Sequence, residues 1–166
     1  MRAIGRIALQ LDDSAVSGIG LVERLLTFLD MERDYITAET LRLLKDLLRR
    51  FPSKREELLQ VAETLEPSTV SDPGARAALI YVFGEYADEI PDATYALEPL
   101  FLAFEEETIA TVRLELLTAG MKLLFRAPAQ SQKMVGKALS AGLQDTNQDV
   151  HVRPLQESFA RLTDKQ

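Results

Sequence analysis

Apolar residues recur along this chain at spacings of three and four, and a strand-like alternation is nowhere sustained. That period predicts helices throughout, divided by breakers into eight stretches and a final segment. The first is Ala3–Leu11, and the second, Ser14–Asp30, opens after Asp12-Asp13-Ser14 with Leu21, Leu25, Phe28 and Leu29 on one face. The third is expected over Asp34–Phe51, stopping before Pro52. Ser53 is then expected to cap a fourth, Lys54–Leu65, with Glu56 completing a capping box. Asp72-Pro73 predicts a fifth start, an N-cap followed by a proline whose missing N–H costs nothing there, and that helix is expected to reach Ala87 or Asp88. Asp92 should cap a sixth, running to Phe104, with Pro99 inside it predicting a kink or a late start. Glu107–Arg126 and Pro128–Leu143 follow, then a polar loop and a last segment, Val150–Thr163.

A weak period overlies this pattern. Ala75-Arg76, Val112-Arg113 and Val152-Arg153 each sit one or two turns into a helix that follows a polar loop, about forty residues apart. Two helices per forty residues is the signature of HEAT and armadillo-type solenoids. The helix wheels agree. Ala77 to Phe83 leave almost no polar face, and on the seventh stretch only Glu115, Thr118 and Lys122 form a narrow polar stripe. A helix apolar nearly all round is buried on more than one side, as in stacked helical layers. The expected fold is therefore all-α, a HEAT/armadillo-like α-α superhelical solenoid segment, with residues 1–166 forming one helical-repeat body.

Composition narrows the function. The chain has 166 residues, 46% of them hydrophobic, which is enough for one domain-sized core. Its net charge of −7 opposes phosphate backbones and anionic lipid, so no nucleic-acid partner is expected. Zero cysteines and one histidine remove disulfides, thiolate nucleophiles, Cys-type zinc sites and His-pair metal sites. The longest apolar run, Ala77 to Gly84, falls far short of the ~20 residues of a membrane span. No charged-then-apolar leader opens the chain, so a soluble, cytosolic, non-secreted protein without cofactors is expected.

Candidate chemistry is sparse. Gly18-Ile19-Gly20 lacks a third glycine and a preceding strand, so it reads as close helix packing rather than a phosphate loop. His151 reads as a surface or capping residue. Glu105-Glu106-Glu107 reads as a solvated loop favouring the next helix N-terminus, not as paired catalytic carboxylates. Arg42, Lys45 and Arg49 share a helical face, and Arg50, Lys54 and Arg55 follow across the Phe51-Pro52 turn. Stabilisation of a helix C-terminus explains most such clusters. The alternative is docking of an acidic partner or a phosphoinositide headgroup. Glu39 to Leu44 matches an acidic dileucine sorting pattern, but its leucines belong to a helical apolar stripe.

Several blocks, in order, resemble the trunk of a beta-adaptin, the large beta chain of a heterotetrameric adaptor protein complex. Ala3 to Ala8 resembles the family's AIG-x-x-A helix, and Lys45 to Pro52 its KDI-F-R-K-Y-P segment. Ala75 to Ile90 is similar to the ARAA-x-IW-x-x-GEYA-x-x-I block, and Leu116 to Phe125 to LLTA-x-x-KL-F. The chain departs from the family at Tyr81, where the family has tryptophan, and at Pro154, Leu155 and Gln156 after Arg153, although Arg161-Leu162 matches again. Glu115 to Ala119, Met134-x-Gly136 and Ile90-Pro91 resemble the beta chain of the fourth, clathrin-independent complex of the trans-Golgi network.

The resemblance implies a fragment of a longer trunk, acting without catalysis as a scaffold in vesicle coat assembly. It implies as partners a second large chain, a small chain and the N-terminal domain of a medium chain. Membrane association would run through the complex, peripheral on Golgi or coated-vesicle membranes. Solenoids bind along the side formed by one helix of each pair. The second helices expected here are Lys54–Leu65, Asp92–Phe104 and Pro128–Leu143. Their outward residues Glu56, Gln60, Glu63, Gln132, Lys133 and Lys137 are the candidate medium-chain contacts. The competing readings are another HEAT-type scaffold, such as a transport receptor, and a self-contained helical binding domain. Apolar residues at the chain start, Ile4, Ile7 and Leu11, favour an excised array without a cap, prone to self-association.

Overall fold

A computed structural model describes residues 20–31, 33–126 and 128–151. More than half of these are helical and none is in a strand. Seven α-helices follow in order: α1 Gly20–Leu29, α2 Asp34–Arg50, α3 Arg55–Glu63, α4 Pro73–Glu85, α5 Ala93–Leu102, α6 Ala110–Arg126 and α7 Pro128–Gly142. Two 3-10 turns, Pro52–Lys54 and Pro67–Thr69, precede α3 and α4. The first predicted helix, the Gly18-Ile19 pair and the segment beyond His151 lie outside the described residues.

The chain divides into two compact units, residues 1–79 and 80–166, with the boundary inside α4. In the first unit α1 packs on α2 and α3, and α2 packs on α3. Leu25, Leu41, Leu44, Leu47, Leu48, Leu58 and Val61 are buried there. In the second unit α5 packs on α6 and α7, and α6 packs on α7. Phe83, Leu97, Phe101, Phe104, Leu116, Leu117, Leu123 and Val135 form its core. Within each unit a helix therefore meets its neighbour in sequence and the helix after that, which is the layering of α-α repeats. Leu44, the second leucine of the sorting-like pattern, is fully buried.

Local chemistry explains where the helices begin. The Asp72 carboxylate accepts the Ala75 N–H at 2.8 Å, a side-chain N-cap, and Pro73 opens α4 as expected. Asp72 also receives Arg42 from α2 at 2.5 Å. The Ser53 capping box does not form. Pro52 instead starts a 3-10 turn closed by the Lys54 N–H on the Phe51 carbonyl (3.0 Å), so Ser53 lies within the turn and α3 starts at Arg55. Asp92 stands at the N-cap of α5 without a side-chain bond, because its backbone (φ −104°, ψ 18°) is not the extended cap geometry. Helix α5 runs uninterrupted past Pro99. Glu107 to Ile109 stay outside α6, where the Glu107 carboxylate accepts the Ile109 N–H at 2.8 Å and holds a turn.

The two described arginines of the forty-residue period both tie loops down. The Arg76 guanidinium donates from Nε to the Val70 carbonyl at 2.9 Å, fastening the loop before its own helix. Arg113 pairs with Asp145, in the loop after α7, and lies over the Phe104 ring. The polar stripe of α6 is also absorbed within the second unit. Lys122 donates to Glu85 at 2.5 Å and sits 5.0 Å from the Tyr81 ring centroid. Arg126 donates to the Gly84 and Glu85 carbonyls at the end of α4 and pairs with Asp88 at 3.1 Å. Those bonds satisfy last-turn carbonyls that a helix leaves open, and α4 ends at Glu85, short of Ala87.

Gly84 makes this approach possible. A Cβ there would lie 2.6 Å from the Ala119 Cβ and 2.8 Å from its Cα, so α4 and α6 meet backbone to backbone. Gly84→Ala is expected to lower stability by about 1–3 kcal/mol through overpacking, despite alanine's better helix propensity. Urea unfolding checks this; an unchanged or raised midpoint would show that the two helices separate freely.

Candidate partner-docking surface

The six outward residues divide between α3 and α7. On α3, Leu58, Leu59, Val61 and Ala62 are buried, which turns Glu56, Gln60 and Glu63 to solvent. Leu65, past the helix end, is half-buried. On α7, Ser131, Met134, Val135 and Ala138 are buried, and Gln132, Lys133 and Lys137 are exposed. Lys137 reaches Glu105 at 3.7 Å, an exposed pair of little weight in stability. Gly136 lies beside it, and a Cβ added there would meet nothing within 4 Å. The α7 surface thus offers an open backbone stretch between two lysines.

The basic cluster is dispersed by its neighbours. Arg42 is held by Glu39 at 2.7 Å and by Asp72, and Lys54 by Glu57 at 3.0 Å. Lys45 and Arg55 are half-buried, while Arg49 and Arg50 are exposed at the end of α2. Arg50 lies over the Phe51 ring at 5.9 Å. Two basic residues in the last turn complement the helix dipole. His151 is exposed, its N–H bonded to the Asn147 carbonyl at 2.9 Å. Glu105 and Glu106 are exposed as well. Among the described residues no group of three or more His, Cys, Asp or Glu could hold a metal ion, and no helix is long and apolar enough to cross a membrane.

One exposed surface was not legible in the sequence. On α5, Tyr95 and Leu102 are 62% and 61% exposed, with Glu98 and Pro99 between them also open to solvent. Leu97, Leu100 and Phe101 on the same helix are buried. With nearly every position of α5 apolar, periodicity alone does not say which side faces out.

Residues 1–163 match the family described as the adaptin N terminal region. The chain belongs to that adaptin family. Beta-adaptin-like protein A of Arabidopsis thaliana is 50% identical over 155 residues, which is 93% of this chain and 18% of that protein. The AP-1 complex subunit beta-1 of Homo sapiens is 36% identical over 148 residues, 89% of this chain and 15% of its own length. The AP-4 complex subunit beta-1 of Mus musculus is 31% identical over 160 residues, 96% and 21%. This adaptin chain thus spans about a fifth or less of the curated relatives it matches. Its all-helical, HEAT/armadillo-like class agrees with the family. The block Ala75 to Ile90 folds as α4 and the turns after it, with Tyr81 receiving Lys122 where the family's tryptophan would stand.

Proposed function

We propose that this adaptin chain is a non-catalytic scaffold segment of the beta subunit of a vesicle coat adaptor complex, acting in intracellular protein sorting. The observation that carries the reading is the family match along residues 1–163 together with beta subunits of two adaptor complexes among the relatives. Residues 1–166 are then part of a longer trunk, which fits the small share of each relative that they span. Its partners are a second large chain, a small chain and a medium chain. It is peripheral on Golgi, trans-Golgi or coated-vesicle membranes, held there through the complex rather than by insertion.

The finer assignment is the fourth, clathrin-independent complex, supported by Glu115 to Ala119, Met134-x-Gly136 and Ile90-Pro91. The AP-4 relative also aligns over more of the chain than the AP-1 relative, although at lower identity. Co-purification of the full-length protein from its own cells tests both levels. Recovery of three other adaptor chains supports the beta-subunit reading, and the identity of the medium chain decides between complexes. Recovery of cargo-receptor partners without any adaptor chain would favour a transport receptor and overturn it.

The medium-chain N-terminal domain is assigned to Glu56, Gln60, Glu63, Gln132, Lys133 and Lys137. All six are exposed, on helices whose opposite sides are buried. Lys133→Glu/Lys137→Glu is expected to weaken capture of that domain in a pull-down, most clearly at low salt, because rim charges act chiefly on association and its salt dependence. Arg49→Glu/Arg50→Glu serves as the comparison. Loss of binding in the comparison alone would move the contact to the basic cluster of Arg42, Lys45, Arg49, Arg50, Lys54 and Arg55.

A further inference from the structure

The exposed side of α5 carries a further candidate surface, built from none of the six residues above. Tyr95, Pro99 and Leu102 follow one another at spacings of four and three, so they lie along one face of the ten-residue helix, with the exposed N-cap residue Asp92 at its start. Exposed apolar side chains at that spacing can meet the apolar stripe of another helix. Asp92 and Glu98 at and beside this face, and Glu106 just past it, are exposed, so its flanks are acidic. Pro99 has no N–H, so the Tyr95 carbonyl lacks the i+4 donor that interior helix carbonyls ordinarily have.

We propose that this face docks a basic amphipathic helix from a partner protein. Tyr95 and Leu102 are the apolar anchors at its two ends, about 10 Å apart along the helix. Glu98 and Asp92 select for Lys or Arg on the partner's flanks, because like charges brought together at an interface are costly. An anionic lipid surface is the wrong counterpart, since the acidic flanks repel it. Tyrosine fits the anchor role, being enriched among residues that dominate binding where a ring can be enclosed. This inference stands apart from the adaptor-chain reading, since it needs only α5 and the charges around it.

The test uses two synthetic peptides that share one leucine face, one with lysine and one with glutamate on the flanks. Fluorescence anisotropy is measured on the whole 166-residue chain. The lysine peptide is expected to bind at least tenfold more tightly than the glutamate peptide. Tyr95→Ser/Leu102→Ser should remove most of that binding, and Glu98→Lys should weaken it several-fold. Glu23→Lys, the same charge change at an exposed position of α1, should leave it unaltered. Both serine substitutions are at exposed positions, and circular dichroism confirms that each variant remains helical. Equal binding of the two peptides, equal loss in Glu23→Lys, or full binding by the serine variant would overturn the proposal. So would a wild-type chain that binds neither peptide but self-associates through this face, which would make a second copy the occupant.

Discussion

Replacing Arg113 by methionine is expected to cost about 3–5 kcal/mol of stability, the effect of stranding one charge of a buried pair. The Asp145 side chain is 0% exposed and its arginine partner is 20% exposed. The other Asp145 oxygen, Oδ1, accepts the Asn147 N–H at 2.8 Å, so the carboxylate is fixed in place by the turn it belongs to. Methionine keeps much of the arginine stem and its contact over Phe104 but leaves the carboxylate without a counter-charge. Asp145→Leu/Arg113→Met should recover most of the loss, because removing both charges also removes the desolvation cost. Urea unfolding of the single and double variants provides the cycle. Additive losses would mean that the two groups act independently and that the pair has no energetic coupling.

Phe101→Ala is expected to cost a similar amount, about 3–5 kcal/mol, through a cavity in the second unit. The ring is 1% exposed and comes so close to α6 that a Cβ on Gly120 would lie 3.0 Å from its Cε1 and 2.8 Å from Val135 Cγ1. Gly120 is therefore the position where α5, α6 and α7 converge. Gly120→Ala alone should destabilise by crowding, about 1–3 kcal/mol. In Phe101→Ala/Gly120→Ala the added methyl faces the space the ring has left, so the double variant should be more stable than the sum of the singles. Calorimetric melting of the three variants checks this, and strict additivity would show that the ring and the glycine do not share one space.

The helices were legible in the sequence because three- and four-residue spacing survives even where a helix is buried on several sides. Their class followed from α4 and α6, whose near-continuous apolar character leaves room only for layered helices. The starts were less legible. Asp72-Pro73 marks its helix start, since an N-cap followed by proline has few other solutions, whereas Ser53 gives no cap because Pro52 draws it into a tight turn. The outward residues of α3 and α7 followed from the wheel, as each helix has a clear polar side. Tyr95 and Leu102 escaped the same reasoning for want of one. The Arg42–Asp72 pair also escaped it, because the two residues are thirty positions apart and only the fold brings them together.

Packing between near neighbours in sequence also bears on how the chain comes to be folded. Most tertiary partners of a residue lie within about one repeat, so only short loops must close before contacts reward the lost entropy. Contacts of this local kind favour folding that does not wait on the closure of long loops. During synthesis, at about 5–20 residues per second, α2 meets α3 within seconds of emerging. Within each unit a new helix thus has its neighbour in sequence to pack on, so less apolar area need stay uncovered while synthesis continues.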